Sequence, residues 1–325
     1  MNTKSSPQRR ISERRFLMFI LLLLSGLQIT PAASEDQFPE KTIPLAQVPG
    51  IERKGLDHPW IERAVAAGFQ EQFGLSDLPI RAWARQGIEF EAMADHAGRA
   101  IKVSRLIVMI ESDGASWQAA GYRAPSNPTP KSPISLQMAL ELSSADRVLY
   151  LARPCQFIAP WSPASRACED PRWWTSWRFS TQVVKAYQEA ILGYAADQGN
   201  QTLVLAGFSG GGSLAALIAT EFKQLALMAK LCLITIASPL DLNAWTHHHR
   251  LSFFRDVPDE GLLKRSLIDL PAAYAFGDAD RKVPLESAGV FLNEAAWIGK
   301  VYRYKDLKHN AEWVKLWPEL LTKAC

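Results

Sequence analysis

The chain has 325 residues, 48% of them hydrophobic, and a formal net charge of +3. This length and apolar content are enough for one sizeable core, which argues against a disordered chain. Five basic residues precede the first apolar run (Lys4, Arg9, Arg10, Arg14 and Arg15), so the rest of the chain is close to neutral and nothing indicates a nucleic-acid-binding surface.

The first predicted element is an apolar run of twelve residues, Phe16–Leu27, which follows the basic residues. Small residues come next, at 32–34. These three features together are typical of a secretory signal peptide. The run is short for a membrane span, which needs about 20 residues. We assign residues 1–34 to a signal peptide, with an uncleaved N-terminal anchor as the alternative. An exported protein, periplasmic or secreted, is therefore expected, and any membrane association would run through this segment.

We interpret residues 35–100 as an N-terminal arm with the first strands, and residues 101–325 as the core of the domain. Six short aliphatic and β-branched runs in that core predict strands. They are 105–112, 146–153, 202–208, 231–238, 271–278 and 299–306. Helical patterns at 181–199, 211–230 and 284–299 lie between some of them. This alternation predicts an α/β fold, with a mostly parallel central sheet and helices on both faces. Such sheets bind ligands beyond the carboxyl ends of their strands.

The four cysteines are interpreted in the light of export, because disulfides persist in oxidising compartments. Cys155 and Cys168 lie thirteen positions apart in a segment dense in Pro, Ser and Trp. We predict that they are bonded, which would clamp this Trp-rich loop and contribute about 3 kcal/mol in the chain-entropy model. Cys232 lies in a predicted strand and is interpreted as a small core residue. Its pairing with Cys325 is the less favoured alternative.

A serine stands at the junction of a predicted strand and a predicted helix, in the sequence Gly207-Phe208-Ser209-Gly210-Gly211. This is a G-x-S-x-G pattern in the context of a nucleophile elbow, where a strained corner exposes the hydroxyl. The alternative is an ordinary glycine-rich turn. The interpretation predicts Ser209 as a nucleophile.

A nucleophilic serine needs a histidine base, and the base needs a carboxylate that orients it. The expected chain order is serine, acid, histidine. Of the six histidines, His58 and His96 precede the serine, three form the cluster 247–249, and His309 follows the last predicted strand. We therefore predict His309 as the base, with a surface histidine at a helix start as the alternative.

The acid is expected in the loop after the strand 271–278. Asp280 occupies the aspartate position of a G-x-x-D-x-x-V-P pattern and is the preferred candidate. Asp278 in the same loop is an alternative, which would otherwise serve as a turn or capping residue. Asp241, after the strand 231–238, is a weaker alternative.

An oxyanion hole needs two backbone N–H donors. Gly210, directly after the nucleophile, is predicted as one. The second is expected after the strand 105–112, at Ala115 or Gly114, although an Asp-Gly pair would also make an ordinary turn.

Two further features each have a structural and a functional interpretation. Histidines 247–249 stand in a row, but consecutive histidines rarely converge on one ion without other ligands, so no metal site and no cofactor are predicted. The tryptophans of 173–177 are equally consistent with a substrate pocket and with packing of the disulfide loop against the body.

Taken together, these motifs resemble the α/β-hydrolase superfamily, and within it a group of exported bacterial α/β-hydrolases of undefined substrate. The similarity runs from about residue 105 to the end, through "IESDGASW", "YLARPCQF", "WWTSWRFS", "GFSGGG" and "GDADRKVP". The chain departs from the common esterase pattern at Asp113, where histidine is usual. The resemblance implies the α/β-hydrolase fold and a Ser-His-Asp triad, without a defined substrate.

The sequence therefore predicts an exported serine hydrolase in which Ser209, His309 and Asp280 cleave a small-molecule ester or acyl substrate through an acyl-enzyme. Ester cleavage is preferred because it is the commoner activity in the superfamily. The alternatives are a peptidase or amidase with the same triad, and a non-catalytic envelope binding protein on this scaffold. The sequence does not predict an oligomeric state.

Overall fold

The computed structural model describes residues 58–87, 104–116, 123–195, 201–225, 230–288 and 299–325. All of these lie in one compact unit, Arg53–Cys325. The predicted signal segment, His96 and part of each predicted helix lie outside the described residues. Within the described ranges, no helix combines the length and apolar character needed to cross a membrane.

Eight strands form a single sheet. They are β1 (Gln70–Gln72), β2 (Ala82–Arg85), β3 (Ser104–Ile110), β4 (Arg147–Leu151), β5 (Gln201–Phe208), β6 (Leu231–Ile236), β7 (Ala272–Gly277) and β8 (Lys300–Tyr304). Their order across the sheet is β1-β2-β4-β3-β5-β6-β7-β8. Strands β3 to β8 pair in parallel, whereas β2 pairs antiparallel with β1 and β4. The six predicted strands are confirmed, each to within two residues at its ends.

Among the described residues, seven helices accompany the sheet. They are α1 (Pro59–Ala66), α2 (Ile134–Leu140), α3 (Thr181–Ala195), α4 (Gly210–Gln224), α5 (Leu242–His248), α6 (Glu260–Leu267) and α7 (Trp313–Ala324). Apolar residues of α3, α4 and α6 belong to the core on one face, and those of α1, α2 and α7 to the core on the other. The predicted covering of both faces is confirmed, and the architecture is the α/β-hydrolase fold.

Strand β3 illustrates why these runs form central strands. Leu106, Val108 and Ile110 belong to one core, and Ile107 and Met109 between them belong to the other. Successive side chains of a strand point to opposite faces, so a strand covered on both sides must be apolar throughout. The carboxyl ends of β3, β5 and β7 then meet at one edge of the sheet.

Two disulfides link the four cysteines. Cys155 and Cys168 are bonded, with 5.6 Å between their Cα atoms, which confirms that prediction. Cys232 and Cys325 are also bonded, with a Cα separation of 6.1 Å. Cys232 is buried in the core, as predicted, and its pairing with Cys325, the less favoured alternative, is the one that the structure shows. Helix α7 packs against the face of the sheet that includes Cys232, which brings the end of the chain to β6 although 93 residues separate the two cysteines.

The Trp-rich segment, residues 155–178, includes two short 3₁₀ turns, Pro163–Cys168 and Pro171–Trp174. Trp174 is buried, and its indole N–H donates to the carbonyl of Pro125 at 3.1 Å. Trp161 is 66% exposed. Part of the segment thus packs against the body of the domain, as one of its two interpretations predicted.

Candidate active site

Ser209 occupies the corner between β5 and α4. Its backbone has φ 55° and ψ −131°, a conformation that a non-glycine residue adopts only under strain. Its N–H donates to the Ile236 carbonyl at 2.8 Å, which fixes the corner to the neighbouring strand β6. The Ser209 side chain remains partly exposed. The corner therefore presents the hydroxyl at the carboxyl edge of the sheet.

His309 lies beside this hydroxyl, in the segment between β8 and α7. Its Nε2 atom is 3.0 Å from Ser209 Oγ, and its Nδ1 atom is 2.7 Å from Asp280 Oδ2. The imidazole also packs against the ring of Phe208, with 4.6 Å between ring centroids. The histidine thus bridges the serine and the aspartate, which are 71 residues apart in the chain, with its ring held from the side.

Asp280 is held by the backbone of its own loop. The N–H groups of Lys282 and Val283 donate to Oδ1 at 2.8 and 2.9 Å, which leaves Oδ2 for His309. The Asp280 side chain is fully buried. The loop is anchored in turn by α5, because Trp245 Nε1 and His249 Nε2 both hydrogen-bond with the carbonyl of Lys282 at 2.8 Å.

The two alternative acids lie elsewhere. Asp278 is partly exposed and pairs with Arg303 of β8 at 2.9 Å. Asp241 accepts the N–H of Ala244 at 2.7 Å and caps the start of α5. Asp241 thus has the capping role expected of a short acidic residue at a helix start, whereas Asp278 forms an ion pair with the neighbouring strand.

Of the predicted oxyanion donors, Ala115 has its N–H engaged in another hydrogen bond. The N–H of Ala115 donates to the carbonyl of Pro128 at 3.0 Å, so it is engaged within the loop and the proposal of Ala115 as a donor is wrong for this structure. Gly114 has φ 61°, and a Cβ at that position would lie 2.2 Å from Pro128 O. The Asp-Gly pair thus folds the loop back against 128, which is the ordinary-turn alternative. Gly210 begins α4 directly after Ser209.

A buried charge cluster lies on the other side of Gly210, and sequence reasoning missed it. Arg153 Nη1 is 3.2 Å from Asp113 Oδ1, and Arg178 Nε is 2.9 Å from Asp113 Oδ2. Both arginine side chains are 2% exposed and that of Asp113 is 17% exposed. The Arg153 Nη1 atom also donates to the carbonyl of Gly210 at 3.0 Å. An arginine directly after an apolar strand, and a second one inside the Trp-rich segment, were the signals that could have found this cluster.

The surroundings of the cluster are aromatic and strongly desolvating. Arg178 lies over the rings of Phe254 and Phe179, at 4.3 and 5.3 Å from their centroids. Burial lowers the pKa of Arg178, with the Asp113 carboxylate acting in the opposite direction. Since an arginine stays protonated at any ordinary pH, both guanidinium groups carry their charge.

A cavity of about 600 Å³ opens between residues 123–127 and the Trp-rich segment. Arg123, Asn127 and Glu169 give it polar walls, and Trp174 an aromatic one. The segment therefore combines packing with pocket lining. Histidines 247–249 lie at the end of α5, and within the described ranges no three potential ligands are grouped as a metal site would require.

No protein-family model and no curated protein sequence matches this chain. Solved structures with a similar fold include an α/β serine hydrolase homologue from Coxiella burnetii, at 13% identity and a TM-score of 0.46, with 79% of this chain and 97% of the other covered. A carboxylesterase from Lactobacillus plantarum has 15% identity, a TM-score of 0.47 and coverages of 78% and 95%. An esterase from Thermogutta terrifontis has 13% identity, a TM-score of 0.48 and coverages of 79% and 91%.

Proposed function

We propose that this α/β-hydrolase-fold protein is a serine hydrolase that cleaves an ester-like carbonyl substrate through an acyl-enzyme. The observation that carries the proposal is the position of His309, which lies 3.0 Å from Ser209 Oγ and 2.7 Å from Asp280 Oδ2. A hydroxyl, an imidazole and a buried carboxylate in this order can activate the hydroxyl as a nucleophile. Partial exposure of Ser209 supports turnover over a purely binding role.

In the first half of the proposed reaction, Ser209 Oγ attacks the carbonyl carbon while His309 Nε2 accepts the hydroxyl proton. The carbonyl π electrons move to oxygen, and Gly210 N–H at the start of α4 is the proposed donor to the oxyanion. The tetrahedral intermediate collapses with loss of the alcohol, which takes the proton from His309. Asp280 holds the imidazole through Nδ1–H and stabilises its cationic form.

In the second half, water attacks the acyl carbon and His309 accepts its proton. Collapse of the new tetrahedral intermediate releases the carboxylic acid, and Ser209 recovers its proton from His309. Water and ester are consumed, and acid and alcohol are formed, without a cofactor in any step. A peptidase or amidase would use the same groups, with an amine as the leaving group.

The proposal is tested with a fluorophosphonate probe and a p-nitrophenyl ester, applied to wild-type protein, Ser209→Ala and His309→Ala. We expect labelling and hydrolysis by the wild type and loss of both in the two variants. His248→Ala is the matched control, because His248 stands in the exposed histidine row and should leave both readouts unchanged. Labelling that survives in Ser209→Ala would contradict the assignment of the nucleophile.

We further propose that the chain is exported through residues 1–34. The pairing of all four cysteines supports this, because disulfides form and persist in oxidising compartments and are rare in reducing ones. Thiol titration of the denatured protein from its native host should find no free thiol before reduction. N-terminal sequencing of the same material should begin near residue 34 if the segment is cleaved, and at residue 1 if it is an anchor. Free thiols in the native material would contradict export.

A further inference from the structure

A carboxylate stands where it would oppose the proposed chemistry. A Cβ added to Gly210 would lie 2.2 to 2.6 Å from three atoms of the Asp113 carboxyl group, so this group touches the backbone of Gly210 directly. The substrate oxygen proposed to bind at Gly210 N–H becomes negative in the transition state. Like charges repel each other, so an uncompensated carboxylate in contact with Gly210 would disfavour an oxyanion bound at the Gly210 N–H.

Two arginines surround this carboxylate, although one would neutralise it. Arg153 and Arg178 each contact one Asp113 oxygen, at 3.2 and 2.9 Å. The cluster therefore carries a net positive charge, and both arginine side chains are only 2% exposed. A surplus charge that is buried is costly for the folded protein. Its cost is offset whenever an anion forms nearby.

Arg153 also acts on the backbone of the corner. Its Nη1 atom contacts Asp113 Oδ1 and donates to the Gly210 carbonyl at 3.0 Å. Its Nη2 atom donates to the Arg178 carbonyl at 2.5 Å, so the two arginines are tied together. A preorganised donor depends on a backbone that does not move as charge develops. Arg153 provides this by holding the residue whose N–H is the proposed oxyanion donor.

We propose that Arg153 and Arg178 are positioning residues for the proposed oxyanion donor, the Gly210 N–H. They neutralise Asp113, fix Gly210 through its carbonyl, and leave one positive charge beside the developing oxyanion. This inference rests on the proposed function of Ser209. It links three segments: the turn after β3, the turn after β4 and the Trp-rich segment. Because the effect is confined to the charged transition state, it alters kcat and leaves KM nearly unchanged.

The test uses the hydrolysis of p-nitrophenyl acetate by full-length protein and its variants, with the affinity of a trifluoromethyl ketone as a second readout. Such a ketone forms an anionic adduct with an active serine, so its affinity follows the stability of the oxyanion. For Arg153→Gln we expect kcat and ketone affinity to fall by about 10- to 100-fold, the range below that for loss of a whole oxyanion donor, and KM to stay within about 3-fold.

Charge balance gives the second part of the test. Asp113→Asn added to Arg153→Gln removes the carboxylate that has lost a partner, and should restore kcat by at least about 3-fold over Arg153→Gln alone. If the single variant does not fold, the double variant still tests the inference, because it lacks the Gly210 contact and should keep kcat about 10-fold below wild type at unchanged KM. Arg105→Gln is the matched control. It breaks a similar Arg–Asp pair, with Asp146, at the amino end of β3.

The outcomes separate the possibilities. A kcat of Arg153→Gln, or of the double variant where the single one does not fold, within about 2-fold of wild type overturns the inference. So does a loss that appears only in KM, or an equal loss in Arg105→Gln. If wild-type protein neither hydrolyses the ester nor is labelled at Ser209, the proposed function itself fails and this inference falls with it. Active wild type with an indifferent Arg153 leaves the proposed function standing and refutes the inference alone.

Discussion

Two aspartates flank the elbow, and their surroundings differ in charge. Asp280 is held by two backbone N–H groups, which are neutral, and its other oxygen faces His309. Asp113 is held by two guanidinium groups, which are cationic. Asp280 therefore keeps its negative charge available to a neighbour, whereas the Asp113 cluster presents a positive one. An aspartate side chain thus contributes to a negative site in one place and to a net positive site in the other, because its partners differ.

The difference follows the needs of the proposed reaction. Positive charge develops on His309 when it takes the proton from Ser209, and negative charge develops on the substrate oxygen near Gly210. A negative group lies on the histidine side and a net positive group on the Gly210 side.

The largest effect is expected on the Asp280 side. Asp280→Asn should reduce kcat for a p-nitrophenyl ester by about 10⁴-fold, because a neutral amide neither stabilises the imidazolium nor keeps the required tautomer. Asp278→Asn and Asp241→Asn are matched controls, since these residues pair with Arg303 and cap α5. Wild-type activity in Asp280→Asn, together with a loss in Asp278→Asn, would exchange the two assignments.

The next effect is expected from Gly210→Ala. The added Cβ would lie 2.2 Å from Asp113 Oδ1, so either the carboxylate or the elbow must move. We expect kcat to fall by at least about 100-fold, as for a lost oxyanion donor, and unfolding free energy to fall by about 1–3 kcal/mol from overpacking. Asp113→Ala alone measures the cost of leaving Arg153 and Arg178 without their carboxylate. If the clash with Asp113 is the cause, Gly210→Ala should lower the unfolding free energy less in the Asp113→Ala background than in wild type, and an equal loss in both backgrounds would exclude the clash.

The two disulfides should separate stability from activity. In the chain-entropy model, loops of 13 and 93 residues contribute about 3 and about 4.6 kcal/mol. Replacing Cys232 and Cys325 by serine should therefore lower unfolding free energy more than replacing Cys155 and Cys168. The loss of kcat should instead be larger when Cys155 and Cys168 are replaced, because Cys155 lies two residues from Arg153 and closes the loop before Arg178. Denaturant unfolding and kcat of the two double variants measure both, and a greater activity loss in the Cys232 and Cys325 variant would refute the second part.

The smallest effect concerns Glu111, a buried carboxylate whose hydrogen-bond donors are backbone N–H groups and hydroxyls. It accepts hydrogen bonds from the N–H groups of Ser112 and Leu136 and from the hydroxyls of Ser112 and Tyr150. Burial raises the pKa of Glu111 above its ordinary value of 4.5, against the effect of these donors. The folded state then binds this proton more tightly than the unfolded state, so its contribution to stability falls as pH rises from 4.5 through the raised pKa.

Denaturant unfolding of wild type and Glu111→Gln across pH 4 to 8 measures this contribution. The wild-type free energy of unfolding should fall relative to the variant with a slope of at most about 1.4 kcal/mol per pH unit within that window. Parallel curves for the two proteins would show that Glu111 titrates alike in the folded and unfolded states.

The chain's local patterns were sufficient for the parallel part of the sheet. Buried parallel strands are continuous apolar runs, and α3 and α4 are long helices with clear helical patterns, so these elements were predicted from short windows. The ends of the short strands β1 and β2 were not predicted, because three or four residues, as in 70–72, carry too little periodicity. The place of Ser209 between β5 and α4 followed from the same local patterns.

Residues far apart in the chain were predicted only where a motif announced them. His309 and Asp280 were named because chain order and loop position favoured them, and the structure places His309 between Ser209 and Asp280. Asp113 was noted only as a departure from the common esterase pattern, and no motif linked it to Arg153 and Arg178. Each looks unremarkable in its own segment, and a charge balance among three residues is a property of their distances.

The sequence by itself therefore determined the six parallel strands, helices α3 and α4, the strained serine corner and the short disulfide loop, because local periodicity and spacing fix those features. Only the tertiary structure decided the disulfide between Cys232 and Cys325, the engagement of the Ala115 N–H with Pro128, and the partners of each aspartate. Those depend on which ends of strands and helices meet in space, where hydrogen bonds and charges act over a few ångströms regardless of separation along the chain.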